Sequence, residues 1–160
     1  MHRWTRWLYP SIAVIILDQL SKYGISRAFQ PGDSLTLTTF FNLVLAYNTG
    51  AAFSMFAGAG GWQRVFFMAI ALLAAGVILY LLHRHADSPL FSFALSLVLG
   101  GAIGNLIDRI ALGHVVDFIQ LHAGRYYWPA FNVADSAITI GAALLIWDSM
   151  KKPRLVKPTR

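Results

Sequence analysis

From Val65 to Leu82, and again from Leu90 to Ile107, the chain runs without one charged side chain. A bilayer core of about 30 Å takes roughly 20 apolar residues to cross as a helix, so these two runs restrict the fold before any motif is read. With their flanks they predict transmembrane helices over about 63–83 and 90–109. Two further stretches, about 7–29 and 131–149, have similar length but are interrupted, the first by Asp18 and Lys22, the second by Asp135 near its start. A mean hydropathy of +0.57 with only 12% charged residues lies outside the range of soluble domains. The sequence therefore predicts one integral membrane domain over 1–160, mainly α, with four transmembrane helices.

Orientation follows from the short-loop lysines and arginines, which favour the cytoplasmic side. Arg3, Arg6, Arg84, Lys151, Lys152, Arg154, Lys157 and Arg160 all fall on one side of this arrangement, against Arg27, Arg64 and Arg125 on the other. Both termini are predicted cytoplasmic, with 150–160 a basic tail that anchors topology or meets anionic lipid rather than nucleic acid. Arg3 and Arg6 ahead of an apolar run also resemble a secretory signal, with Ser26-Arg27-Ala28 as a weak cleavage site. The Asp18 and Lys22 inside that run favour a retained span.

The outer segments, about 30–62 and 110–130, are much longer than the cytoplasmic connection, and long connections often carry function. Residues 35–47 and Val115 to Leu121 are rich in β-branched and aromatic side chains, which predicts short strands. Trp62, Tyr126, Tyr127 and Trp128 suit the membrane interface, so the strands and loops are expected to lie at the outer, periplasmic face. Gly50, Gly58, Gly60 and Gly61 suggest mobility in the first of these loops.

Several chemistries drop out. There is no cysteine, hence no disulfide relay, thiol nucleophile or lipidated cysteine in the chain itself. His2, His83, His85, His114 and His122 form no His-Glu-x-x-His pattern, and His83 and His85 read as loop residues; no metal is expected. No serine sits in a Gly-x-Ser-x-Gly turn. Carboxylates remain. The chain has no glutamate and seven aspartates, and an ionisable group at membrane depth is a functional candidate by default. At about 1.5 Å per helical residue, Lys22 falls roughly 22 Å up the first span, Asp108 roughly 27 Å up the third, and Asp135 about 6 Å below the outer end of the fourth. Asp18 lies one turn deeper, and Asp117 sits in the loop above.

Each of these has a purely structural alternative. Asp18 and Lys22 are spaced i, i+4 and could neutralise each other. Asn132 and Asp135 have the N-cap to N3 spacing of a capping-box variant. Asp108-Arg109 could be a cap with a snorkelling arginine, and Gly100 with Gly104 reads as a helix-packing face. None of these explains why all the charges share one depth and one side.

Five blocks in order carry a resemblance to a known family: Asp18-Gln19-Leu20-Ser21-Lys22, Asn48-Thr49-Gly50-Ala51-Ala52-Phe53-Ser54, Gly104-Asn105-Leu106-Ile107-Asp108-Arg109, Val116-Asp117-Phe118 and Phe131-Asn132-Val133-Ala134-Asp135-Ser136. The chain resembles lipoprotein signal peptidase (signal peptidase II), with no departure at the polar positions. The resemblance implies an aspartyl endopeptidase of the bacterial cytoplasmic (inner) membrane, with Asp117 and Asp135 as the catalytic pair. It implies substrates that are diacylglyceryl-modified prolipoproteins, cut on the amino side of the lipidated cysteine, and inhibition by globomycin-type peptides. By similarity, Asn48, Gly50, Asn105, Asp108, Arg109 and Asn132 line or brace the site, supported by Asp18 and Lys22. No cofactor is implied, nucleic acid is not a partner, and a monomer in contact with membrane lipid is expected.

Two carboxylates held close share a proton, because both cannot ionise easily, and such a pair can activate water while polarising a carbonyl. A proton-coupled carrier would also bury Asp, Lys and Arg, and a non-catalytic assembly or lipid-binding factor is a third class. The absence of an internal repeat and of a polar site at the bilayer centre argues against the carrier.

Overall fold

The computed structural model describes residues 3–50 and 61–151. Ala51, Ala52, Phe53, Ser54, Gly58 and Gly60 of the outer loop, His2, and Lys152, Arg154, Lys157 and Arg160 of the tail lie outside the described residues. A short 3-10 turn, Thr5–Trp7, leads into α1 (Leu8–Ala28). Strands β1 (Ser34–Thr36) and β2 (Phe41–Asn48) precede α2 (Trp62–Arg84) and α3 (Pro89–Ala111). Strands β3 (Val115–Ala123) and β4 (Tyr126–Tyr127) precede α4 (Val133–Met150). The protein is thus mainly helical, of membrane type, with a small sheet.

α2, α3 and α4 are each long and apolar enough to cross a membrane. α1 has the length, 21 residues, but two faces of opposite character. Asp18 and Lys22 point inward and are buried, whereas Ile12, Ile16, Leu17, Leu20 and Tyr23 are exposed. The helices pack around α3, which touches all the others. Side-chain interlocking of Ala75, Ile78 and Leu82 with Leu95 and Leu99 joins α2 to α3. Closer approaches rely on missing side chains. A Cβ on Gly100 would fall 2.8 Å from the Ser11 carbonyl oxygen of α1, and one on Gly141 2.7 Å from the Ala94 carbonyl oxygen of α3. Gly101 faces the Ala134 carbonyl of α4 in the same way. The packing expected of Gly100 is present. Gly104 has another task, described below.

The sheet is antiparallel in the order β1-β2-β3-β4. β2 and β3 pair Asn48 with Val115 and Ala46 with Asp117, with a register shift between Leu43 and Ala46. Residues 35–47, where short strands are expected, hold most of β1 and β2 with a turn between them, because Leu37 and Thr38 both donate to the Phe41 carbonyl and close the chain on itself. Val116 and Phe118 on one face of β3 pack with Leu45 and with Ile25 and Phe29 at the end of α1. Side chains alternate along a strand, so Asp117 projects from the opposite face. His83 is a correction: it belongs to the last turn of α2 rather than to a loop, and His85 is that helix's C-cap.

Candidate active site

Asp117 and Asp135 line one cavity of about 720 Å³, together with Asn48, Asn105 and Arg109. Phe67, Ile70, Ala74, Val98, Ala102 and Ile138 form its apolar wall. The polar residues gather where α3 ends and α4 begins, beside the sheet, and the apolar wall continues from there between α2, α3 and α4.

Asp117 is buried, 3% exposed. Its Oδ1 accepts from Asn132 Nδ2 at 2.7 Å and its Oδ2 from Asn48 Nδ2 at 3.1 Å. Asn48 reaches it because the two residues are diagonal neighbours on the paired strands. Burial, followed by the charge of Asp135, pushes the Asp117 carboxyl up to about 7, against the opposing pull of the Asn48 and Asn132 hydrogen bonds and the Lys22 ammonium.

Asp135 occupies the first turn of α4. Asn132 caps that helix, its Oδ1 accepting from the Asp135 backbone N–H at 2.8 Å. The capping reading was therefore right about Asn132. Asp135's own side chain is turned to other use: its Oδ1 accepts from Asn105 Nδ2 at 2.8 Å. Asn132 Nδ2 also lies 3.3 Å from Asn105 Oδ1 and 3.2 Å from the Val116 carbonyl. Asn105 and Asn132 thus connect the two aspartates to each other.

Behind them stands a second layer. Lys22 Nζ contacts Asp18 Oδ2 at 2.7 Å, Asp108 Oδ2 at 2.9 Å and Asn105 Oδ1 at 3.0 Å. The i, i+4 pair of α1 is real, but Lys22 also joins it to α3. Asp18 Oδ1 accepts from the Ala134 N–H at 2.8 Å, and Asp108 Oδ2 from the Val116 N–H at 3.1 Å. A Cβ on Gly104 would lie 2.7 Å from Asp18 Oδ2, so glycine there admits the carboxylate. Arg109 does not snorkel outward. Its Nη2 donates to the Gly50 carbonyl at 3.1 Å, and its guanidinium stacks 5.3 Å from the Phe67 ring centre. Gly50 donates in turn to Asn48 Oδ1 at 2.9 Å.

Every residue singled out in the sequence is therefore in this network: Asp18, Lys22, Asn48, Gly50, Asn105, Asp108, Arg109, Asp117, Asn132 and Asp135. Gln19 was missed. It sits on α1 and its Nε2 lies 2.9 Å from Asp108 Oδ1, 3.2 Å from the Gly104 carbonyl and 3.3 Å from Asp18 Oδ2. A glutamine following an aspartate has no spacing signature, although it falls within the first matching block. Phe67 and the apolar wall were missed too, since nothing in an all-apolar helix distinguishes a groove-lining side from a lipid-facing one.

The sequence and the fold both have counterparts among known proteins. The sequence profile of the signal peptidase (SPase) II family matches residues 11–151. The lipoprotein signal peptidase of Ralstonia nicotianae is 56% identical over 148 residues, covering 92% of this chain and 86% of its own. That of Cupriavidus taiwanensis is 54% identical over 148 residues, covering 92% and 84%. A bacterial membrane enzyme solved by the in meso method at 2.3 Å resolution superposes with a TM-score of 0.85 at 33% identity, covering 98% of this chain and 94% of its own. A second, at 1.9 Å, gives 0.82 at 34% identity, covering 93% and 95%.

Proposed function

The chain belongs to the signal peptidase II family, and from that membership we propose that it is a membrane aspartyl endopeptidase of the bacterial inner membrane. It removes signal peptides from diacylglyceryl-modified prolipoproteins, cutting on the amino side of the lipidated cysteine. The observation that carries this reading is the pair of carboxylates on one cavity, tied through Asn105 and Asn132 at the polar end of an apolar groove.

A signal helix and its acyl chains are apolar, and the groove wall offers them an apolar surface. The scissile peptide, held near the interface by its lipid, then falls at the polar end. The reaction needs one ionised and one protonated carboxyl, and the pair titrates as a unit. Burial and the neighbouring Asp135 charge raise the Asp117 carboxyl, which keeps one proton on the pair; in the proposed scheme Asp117 carries it. Asp135 takes a proton from a water molecule as that water attacks the scissile carbonyl carbon. Asp117 gives its proton to the carbonyl oxygen as the tetrahedral intermediate forms. The C–N bond then breaks, the cysteine nitrogen leaves with the proton delivered from Asp135, and Asp117 recovers its own from the collapsing hydroxyl. Asn48 and Asn132 keep Asp117 oriented, and Arg109 secures Gly50, adjacent to the next matching residues of the loop.

α1 acts as a fourth span, with its exposed apolar side against lipid and its charged side inward, and both termini lie in the cytoplasm. Cleavage of a diacylglyceryl precursor by purified protein tests the whole reading. Asp117→Asn and Asp135→Asn each reduce cleavage by at least about a thousandfold while the proteins still insert and stay monodisperse. Full activity in either variant removes the pair from the mechanism. Release of free signal peptide also separates this reading from carriers and assembly factors.

A further inference from the structure

The two aspartates are not positioned independently. The residue before Asp135 is Ala134, whose N–H is held by Asp18; the residue before Asp117 is Val116, whose N–H is held by Asp108. The same device, a buried carboxylate accepting the backbone N–H one residue upstream, therefore fixes both, although one lies on a helix and the other on a strand. Asp18 and Asp108 are 0% and 3% exposed. They would repel, and two donors stand between them. Lys22 Nζ contacts Oδ2 of both, at 2.7 and 2.9 Å. Gln19 Nε2 faces Asp18 Oδ2 at 3.3 Å and Asp108 Oδ1 at 2.9 Å. The four side chains make a closed ring between α1 and α3.

Resting on the proposed reading of the dyad, we infer that Gln19 is a positioning residue for the peptidase reaction: with Lys22 it ties Asp18 to Asp108 and so sets the placement of Asp135 relative to Asp117. Asp18 is held at both oxygens, by the Ala134 N–H and by Lys22, but without Gln19 Asp108 is held only at Oδ2. A carboxylate held at one oxygen still pivots about that contact. The Gln19 amide, by also bonding the other oxygen of Asp108, suppresses that rotation, and the Gly104 carbonyl, 3.2 Å away, holds the amide in turn. Gln19 touches neither aspartate of the dyad, so its effect reaches the chemistry only through geometry. Displacements of about 1 Å in a reacting constellation cost up to about a hundredfold in rate.

The test compares Gln19→Met, which keeps length and removes both donors, with Gln19→Glu, which keeps shape but sets a third carboxylate between two. Each is purified as the full chain in detergent, the monodisperse fraction is taken, and kcat and KM are measured on a diacylglyceryl lipoprotein precursor. The expected result is a kcat about tenfold down for Gln19→Met and lower again for Gln19→Glu, with KM within twofold of the parent because the groove is untouched. Unchanged kcat in the folded fraction of either variant overturns the proposal, as does a loss expressed wholly in KM. If only one variant folds, its kcat decides. Asp117→Asn run alongside keeps the two claims apart: if it cleaves, the dyad reading fails, whereas if it is inactive and Gln19→Met matches the parent, only the tie fails.

Discussion

Asn132 shows how completely a single side chain can be committed. It is 0% exposed, its Oδ1 caps α4, and its Nδ2 faces Asp117, Asn105 and the Val116 carbonyl. An aspartate would keep the cap and lose the donor; only an amide serves both. Asp117 beside it gives a pH prediction at this scale. A carboxyl raised from an ordinary 3.8 to about 7 is neutral through the acidic range. Cleavage should therefore fall on the alkaline side as pH rises through about 7, measured as kcat/KM against pH. Stability follows the same sign: the contribution of neutral Asp117 is complete below about 4 and is lost as pH rises to about 7. Thermal melts of the parent and Asp117→Asn over that window should show the parent losing ground to the variant, and parallel curves would contradict the raised value. At this scale the sequence was informative, because charges are scarce in an apolar chain and each needs a reason. What it left open was the pairing: the capping spacing of Asn132 and Asp135 reported a helix start without revealing that Asp135's carboxylate turns to Asn105.

Among the elements, α3 is the organiser, and its small residues serve different neighbours. Successive helical residues are rotated by about 100°, so Gly100 meets Ser11 of α1 while Gly101 meets the Ala134 carbonyl of α4. The Ala134 carbonyl lies one residue from Asp135, so the closeness of α3 to α4 and the site are linked. Gly101→Ala drives a methyl against backbone that cannot swing away, and overpacking of this kind costs about 1–3 kcal/mol. Gly24→Ala on α1, where a Cβ meets nothing within 4 Å, should instead be neutral or stabilising by up to about 1 kcal/mol. Equal melting temperatures for the two variants would contradict the packing described. Element positions were largely legible, since long uncharged runs bound α2 and α3 directly, and Asn132 marked the start of α4. The Gly-x-x-x-Gly spacing found Gly100 but could not reveal Gly101 and Gly141, because one small residue in an apolar helix looks like any other until its neighbour is known. The turn dividing 35–47 was equally hidden, there being no Gly or Pro within it.

For the whole molecule, apolarity dominates: α2, α3 and α4 qualify as spans on composition, whereas α1 hides its charges against α3 and α4. That arrangement explains why the hydropathy signal is weaker for α1 than for the others, since Asp18 and Lys22, which lower it, are buried against its neighbours. The absence of cysteine makes the topology simple to test. Cysteine at Arg125, in the exposed β3–β4 turn, should react with an impermeant maleimide in spheroplasts. Cysteine at Asp87, between α2 and α3, should react only after lysis. The opposite pattern would invert the orientation. The hydrogen bond from Ala134 to Asp18 spans 116 positions of sequence. α1 leaves the ribosome well before α4, so the clamp is made ahead of the residue it clamps. On the proposed mechanism, a nascent chain that holds Asp117 cannot cleave until Asp135 has also been made. Competence therefore arrives with α4, and every shorter nascent chain is latent.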